Sequence, residues 1–219
     1  MFIQGTYTIN QQNNGHISGE FYRLKDKTSS IEIPLLKINE NLFHILSDQD
    51  QLLTGNGGWS YVLNKRVPVS QATIEFEPFS ISPFPLTDSV KLGVYLGRTN
   101  CHADMPGLNG IKGGCNRIKW QLTLYQDPAT HTPAQFELKT VYVGVNNTVY
   151  TKTGSWEVKK GTPSDSNSVF YQLNAEHDNQ AAKITLLKAD NKILYFTDKD
   201  LNLLAGNGDH SYALNRAVK

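Results

Sequence analysis

The sequence predicts an all-β protein: a closed antiparallel up-and-down barrel preceded by a half-repeat of the same unit. Three observations carry this. Apolar and polar residues alternate at period two in run after run, and at period 3.6 in almost none. Turn-forming residues separate those runs at short, regular spacing. A long segment near the start also recurs near the end.

Residues 31–65 align with residues 182–216 at an offset of 151, with thirteen of thirty-five positions identical. The identities include Leu35/Leu186, Lys37/Lys188 and both Gly-Asn-Gly triplets, with the Ser-Tyr and Leu-Asn pairs that follow. The likeness extends backward at offset 149, where Gly5-Thr6-Tyr7-Thr8-Ile9 matches Gly154-Ser155-Trp156-Glu157-Val158 and Phe21-Tyr22 matches Phe170-Tyr171. The shift from 149 to 151 places two extra residues in the loop after Leu173, where insertions cost little. The division that follows is a half-domain at 1–66 resembling 153–217, a Pro/Phe-rich connector at 67–88, and a complete domain at 89–219. The connector holds Pro68, Pro78, Pro83 and Pro85, which favour extended backbone, and one strand is expected at 71–76.

Within the complete domain, strands are expected around 119–125, 135–143, 155–158, 169–173 and 183–187, where Tyr, Val, Thr, Phe and Ile concentrate. Asp127-Pro128, Asn146-Asn147, Gly161-Thr162-Pro163, Asp178-Asn179 and Asp190-Asn191 punctuate them. Eight or nine strands joined by short connections make a meander that must close or cover its edges. A lipocalin-like barrel fits best, a flattened sandwich second. The loop 100–116 has room for one helical turn. The Gly-Asn-Gly triplets read as tight hairpin turns needing positive φ, with the following Tyr buried beside Asn64 or Asn215.

Composition limits the function. The 219 residues are 39% hydrophobic, enough for a core, and 21 basic against 20 acidic side chains leave a net charge of +1. No block of like charge supports nucleic-acid binding. No apolar run is long enough to span a membrane. No basic stretch followed by an apolar run opens the sequence, so an exported form would have its leader ahead of Met1. Nucleophile elbow, P-loop and dinucleotide motifs are absent, and no carboxylate or His pair is placed for acid–base work, so an enzyme is not expected. His16, His44, His131, His177 and His210 are scattered without ligand spacing and read as solvated or hydrogen-bonded residues. The acidic pairs Asp48/Asp50 and Asp198/Asp200 read as turn-formers.

One cluster carries chemistry. Both cysteines, Cys101 and Cys115, fall in the loop after Gly97-Arg98-Thr99, together with His102 and Met105. Two thiolates, an imidazole and a thioether suit a soft ion such as Cu(I). The spacing matches no usual zinc pattern. The competing reading is a Cys101–Cys115 disulfide, which would remove both thiolates from any metal and add about 3 kcal/mol in the chain-entropy model. Elsewhere, Trp120, Phe136, Tyr142 and Trp156 are placed to line the mouth of a ligand-carrying barrel, if the barrel is hollow.

The order Gly-Arg-Thr-x-Cys, then Trp-x-Leu-Thr-Leu-Tyr-x-Asp, Gly-x-Trp-x-Val, Phe-Tyr-x-Leu and Leu-Leu-x-Gly-Asn resembles the NlpE family. These are Gram-negative envelope lipoproteins linked to copper resistance and surface-stress sensing. The resemblance covers about 89–216, and 4–66 echo the C-terminal half of the family's domain. It implies a lipocalin-like barrel whose loop carries Pro-Cys-x-x-Cys directly after Gly-Arg-Thr. Cys101 matches the first cysteine, but Asn100 stands where Pro is expected and Asp104 where the second cysteine is expected. The two-cysteine chemistry of the family is therefore not carried over residue for residue. The expectation is a non-catalytic exported protein, periplasmic or outer-membrane-associated, soluble or lipid-anchored. Copper is its candidate cofactor, and a second copy or an envelope protein its candidate partner. A carrier of a small apolar ligand, or an interaction module using exposed sheet edges, are the alternatives. A half-barrel cannot close alone, so its strands are expected to pack on the other domain or on a neighbouring chain.

Overall fold

The computed structural model describes residues 4–14, 17–65, 89–101, 114–145, 148–162, 165–175 and 183–217, with side chains 12–18 left aside. Every regular element among them is a strand. A five-stranded antiparallel sheet comprises β1 (Gly5–Asn14), β2 (Ile17–Asp26), β3 (Glu32–Asn39), β4 (Leu42–Ile45) and β5 (Val62–Asn64), in chain order. Eight more strands follow: β6 (Val90–Thr99), β7 (Arg117–Gln126), β8 (Pro133–Val143), β9 (Val149–Lys160), β10 (Val169–Ala175), β11 (Ile184–Lys188), β12 (Ile193–Phe196) and β13 (Ala213–Arg216). They close into an antiparallel barrel, with β13 returning to β6 through Asn215↔Leu96 and Arg216↔Tyr95. The expected strand at 71–76 and the helical turn within 100–116 concern residues outside those described.

Period-two alternation becomes the barrel wall. Along β8, Phe136, Leu138, Thr140 and Tyr142 are buried and their neighbours are not. Ile118, Trp120, Leu122 and Leu124 of β7 are buried in the same alternation, with Thr123 between the last two buried as well, and these inward side chains merge with those of β9–β13 into one core.

The half-repeat lies against the outside of this wall. A second core joins Phe21, Leu36, Leu42, Leu46 and Val62 of the sheet to Ala189, Ile193, Tyr195 and Ala213 of the barrel. Residues 151 apart in sequence make the same local bonds: Ile45 N to Tyr61 O and Phe196 N to Tyr212 O; Asn56 N to Trp59 O and Asn207 N to His210 O. They also meet one another. His44 touches its counterpart Tyr195, with Nδ1 and the hydroxyl oxygen 2.5 Å apart, and the Ser60 hydroxyl contacts that of Ser211. Asn64 Oδ1 accepts from Gly206 N at 2.8 Å, and Asn215 Oδ1 accepts from Gly55 N at 2.9 Å. The two copies dock face to face about a local twofold axis, as in an isologous dimer.

The expectation of positive φ in the Gly-Asn-Gly turns needs correction. Positive-φ glycines among the described residues are Gly114, Gly144 and Gly161 only. Gly55 and Gly206 are required for a different reason: a Cβ there would collide with the carbonyl oxygens of Trp59 and His210. Asn64 and Asn215 likewise serve the opposite repeat's glycine amide and not a tyrosine hydroxyl.

The sheet leaves open what the barrel closes. Trp156, Leu173 and Leu214 face the barrel interior at 5%, 1% and 0% exposure, whereas their counterparts Tyr7, Leu24 and Leu63 are 63%, 37% and 46% exposed.

Candidate functional site

The cysteine loop begins where β6 ends and finishes where β7 begins. Thr99, fully buried, fixes the outgoing limb: its hydroxyl accepts from Trp120 Nε1 at 2.8 Å and donates to the Asn100 carbonyl at 3.1 Å. On the return limb Asn116 N donates to Val143 O, and Gly144, at φ 98°, lets the β8–β9 turn approach Gly114. The limbs are thereby held side by side, with Cys101 and Cys115 Cα atoms 6.0 Å apart and the sulfurs joined in a disulfide. Both half-cystines pack against the barrel core.

His102 and Met105, the remaining members of the proposed soft-metal set, lie outside the described residues. Among the described residues no group of three His, Cys, Asp or Glu side chains forms a metal-binding cluster. The donor chemistry fits Cu(I) in one state only. A disulfide offers no thiolate, whereas reduction would release two thiolates already held at neighbouring strand ends.

The four aromatic residues proposed as a ligand mouth occupy core positions. Trp120, Phe136, Tyr142 and Trp156 are between 1% and 5% exposed and belong to the packed barrel interior. Trp120 packs in a tilted pair against Phe196 at 4.9 Å between ring centroids, and Trp156 likewise against Tyr171 at 4.9 Å while its indole N–H donates to Tyr125 O. Burial pushes the Tyr142 phenol up to about 12. These contacts use the side chains for packing and for anchoring neighbouring backbone.

Sequence reasoning passed over His44, which is fully buried between sheet and barrel with Nε2 2.8 Å from Leu53 O. Its partner Tyr195 is 151 residues away, so spacing along the chain gave no sign of it; the repeat offset itself was the usable signal. His131 is a surface residue bonded to Gln126, and His16 and His177 lie outside the described residues.

Among the described residues no helix is long and apolar enough to cross a membrane. Comparison with curated proteins and with solved structures gives no significant match. Residues 113–211 do match the family model described as the NlpE N-terminal domain. That span runs from the return limb of the cysteine loop to the end of the second Gly-Asn-Gly segment, so over most of its barrel this chain is similar to the NlpE N-terminal domain.

Proposed function

We propose that the protein is a non-catalytic, exported NlpE-like envelope protein acting in copper homeostasis or surface-stress sensing. Its reactive corner is the Cys101–Cys115 pair. The observation that carries the reading is the disulfide in an NlpE-type barrel, its first half-cystine one residue beyond Gly97-Arg98-Thr99. Structural disulfides persist in oxidising compartments and are rare in the cytosol, which supports export. In this reading the oxidised protein holds no copper, and reduction opens a Cu(I) site in which Cys101 and Cys115 are joined by His102 or Met105. Competition against a Cu(I) chelator tests it. The reduced protein is expected to bind one Cu(I) with submicromolar affinity, and both the oxidised protein and Cys101→Ser are expected to lose at least about tenfold, or 1.4 kcal/mol. Binding no tighter than micromolar, or binding indifferent to Cys101, would overturn the copper role.

A second reading, an interaction module, is favoured by β1. Among the described residues this ten-residue strand pairs on one side only, has no charged residue in its sequence, and exposes Tyr7 and Ile9. Unguarded edges of this kind accept a further strand. The occupant in this reading is a second copy of the chain. Light scattering should then show a dimer that Ile9→Lys converts to monomer. A wild-type monomer at high concentration would remove the reading. The carrier alternative gains no support from the four aromatic residues, whose places are core places.

A further inference from the structure

The local twofold axis between the two repeats opens, at one end, onto a cavity of about 220 Å³. Its walls come from both Gly-Asn-Gly hairpins and from β6, including Trp59, Ser60, Arg98, His210, Ser211 and Asn215. Neither cysteine is on its wall. Three features distinguish it from an incidental gap.

The first is what has been left unbonded. Asn215 is 1% exposed, its Oδ1 is used by Gly55 N, and its Nδ2 has no hydrogen-bond partner. Arg98 Nε is likewise buried without a partner. Both orphans on the cavity wall are donors. Buried donors are normally satisfied, so a cavity bordered by unsatisfied ones is complementary to a molecule that brings acceptors.

The second is charge. Arg98 makes no ion pair with any described carboxylate, and its guanidinium rests near Gly58 of the first hairpin, where a Cβ would stand 3.8 Å from Cζ. Arg117 also has a buried, unpartnered Nε. Asp209 is the acidic residue on the wall. The His210 imidazole is pushed below its ordinary range, first by burial and then by the charge of Arg117, with Asp209 opposing and Arg98 adding to the shift. Two uncompensated guanidiniums therefore act on this region against one carboxylate.

The third is shape. Trp59 is half exposed at the wall and is braced edge-on by Tyr61 at 4.5 Å. It offers an indole face beside the polar pocket. Neither barrel closure nor the docking bonds described above use the Arg98 guanidinium or Trp59.

From these features we infer that the cavity between the two hairpins binds a small oxyanion, a phosphate- or carboxylate-bearing molecule, with Arg98 and Asn215 donating to its oxygens and Arg117 contributing charge. A planar fork such as Arg98 suits two-oxygen groups of either kind. Trp59 covers whatever part of the ligand follows the anionic group.

Trp59 also supplies the readout, because Trp120 and Trp156 are buried in the barrel. The disulfide-intact full chain would be titrated with inorganic phosphate and, separately, with citrate, at constant ionic strength set by chloride. The expected result is a saturable change in tryptophan fluorescence with at least one of the two, together with shifts of the Asn215 side-chain amide signals in ¹H–¹⁵N spectra. Whichever probe saturates first assigns the phosphate or the carboxylate class. Arg98→Gln should weaken binding by at least about tenfold, and Arg98→Lys by less, since charge survives without the fork. Arg117→Gln provides an independent variant, expected to weaken binding severalfold, should Arg98→Gln fail to give a native spectrum. No saturable response to either anion, or affinities unchanged in both Arg98→Gln and Arg117→Gln, would overturn the inference. Because the Cys101–Cys115 pair plays no part here, either result leaves the copper test untouched.

Discussion

His44 has one proton to place between two partners. Leu53 O can only accept, so the proton sits on Nε2, and Nδ1 accepts from the Tyr195 hydroxyl. Desolvation holds the ring's pKa down to about 4, with the Leu53 carbonyl and Asp190 opposing, so it is neutral in the folded protein. The sign of the pH effect follows. The unfolded chain takes up a proton at this residue below about 6.5, and the folded one only near 4. Stability from His44 is therefore complete above about 6.5 and declines as the pH falls toward 4, by about 3 kcal/mol over the interval. Urea melts of the wild type and His44→Gln at pH 7 and pH 4.5 should show a larger acid loss in the wild type; equal losses would contradict the assignment. The residue was not legible as special in the sequence because its importance comes from a counterpart 151 positions away. Arg98 and Asn215 escaped for the same reason: their surroundings are assembled by docking, not by local spacing. Cys101 and Cys115 were legible because they are close in sequence and alone of their kind.

At the scale of elements, strands with one face in the barrel and one in solvent were read directly, β7 and β8 above all, since burial on one face imposes alternation. β12 was not among them. All four of its residues, Ile193–Phe196, are buried, because Leu194 and Phe196 enter the barrel while Ile193 and Tyr195 enter the sheet–barrel core. A strand covered on both sides loses its period. The Gly-Asn-Gly segments were recognised as repeated structure but were assigned the wrong physics. Their glycines permit close backbone approach, and each following Asn reaches across the axis to the other copy's glycine amide. Asn64→Ala and Asn215→Ala should each cost about 1–3 kcal/mol, as a partly buried glycine N–H in the opposite repeat loses its acceptor. Gly206→Ala should cost at least as much through collision with His210 O. Thermal melts that leave all three variants within about 0.5 kcal/mol of wild type would contradict this account of the motif.

For the whole molecule, the closed barrel could be deduced from eight or nine short strands and short connections, and the one-and-a-half copies from the repeat. The place of the half copy could not, because sequence does not distinguish a sheet that extends a barrel from one that lies on its wall. The apolar set Phe21, Leu36, Leu42 and Leu46 resolves it: these side chains point away from the face that would be interior in a closed copy and meet Ile193, Tyr195 and Ala213. The disulfide acts at this scale too. By constraining the unfolded chain it should contribute about 3 kcal/mol, so Cys101→Ser/Cys115→Ser should melt earlier than the oxidised wild type, and wild type in reductant should approach the variant. The central claim is that the half-repeat docks on the barrel about a twofold axis that brings equivalent residues together. Replacing Ser60 and Ser211, whose hydroxyls touch across that axis, by cysteines tests it most directly. Non-reducing peptide mapping of the oxidised monomer should find a 60–211 cross-link in high yield beside the native 101–115 bond. A monomer without that cross-link, or cross-links found only between chains, would contradict the docking.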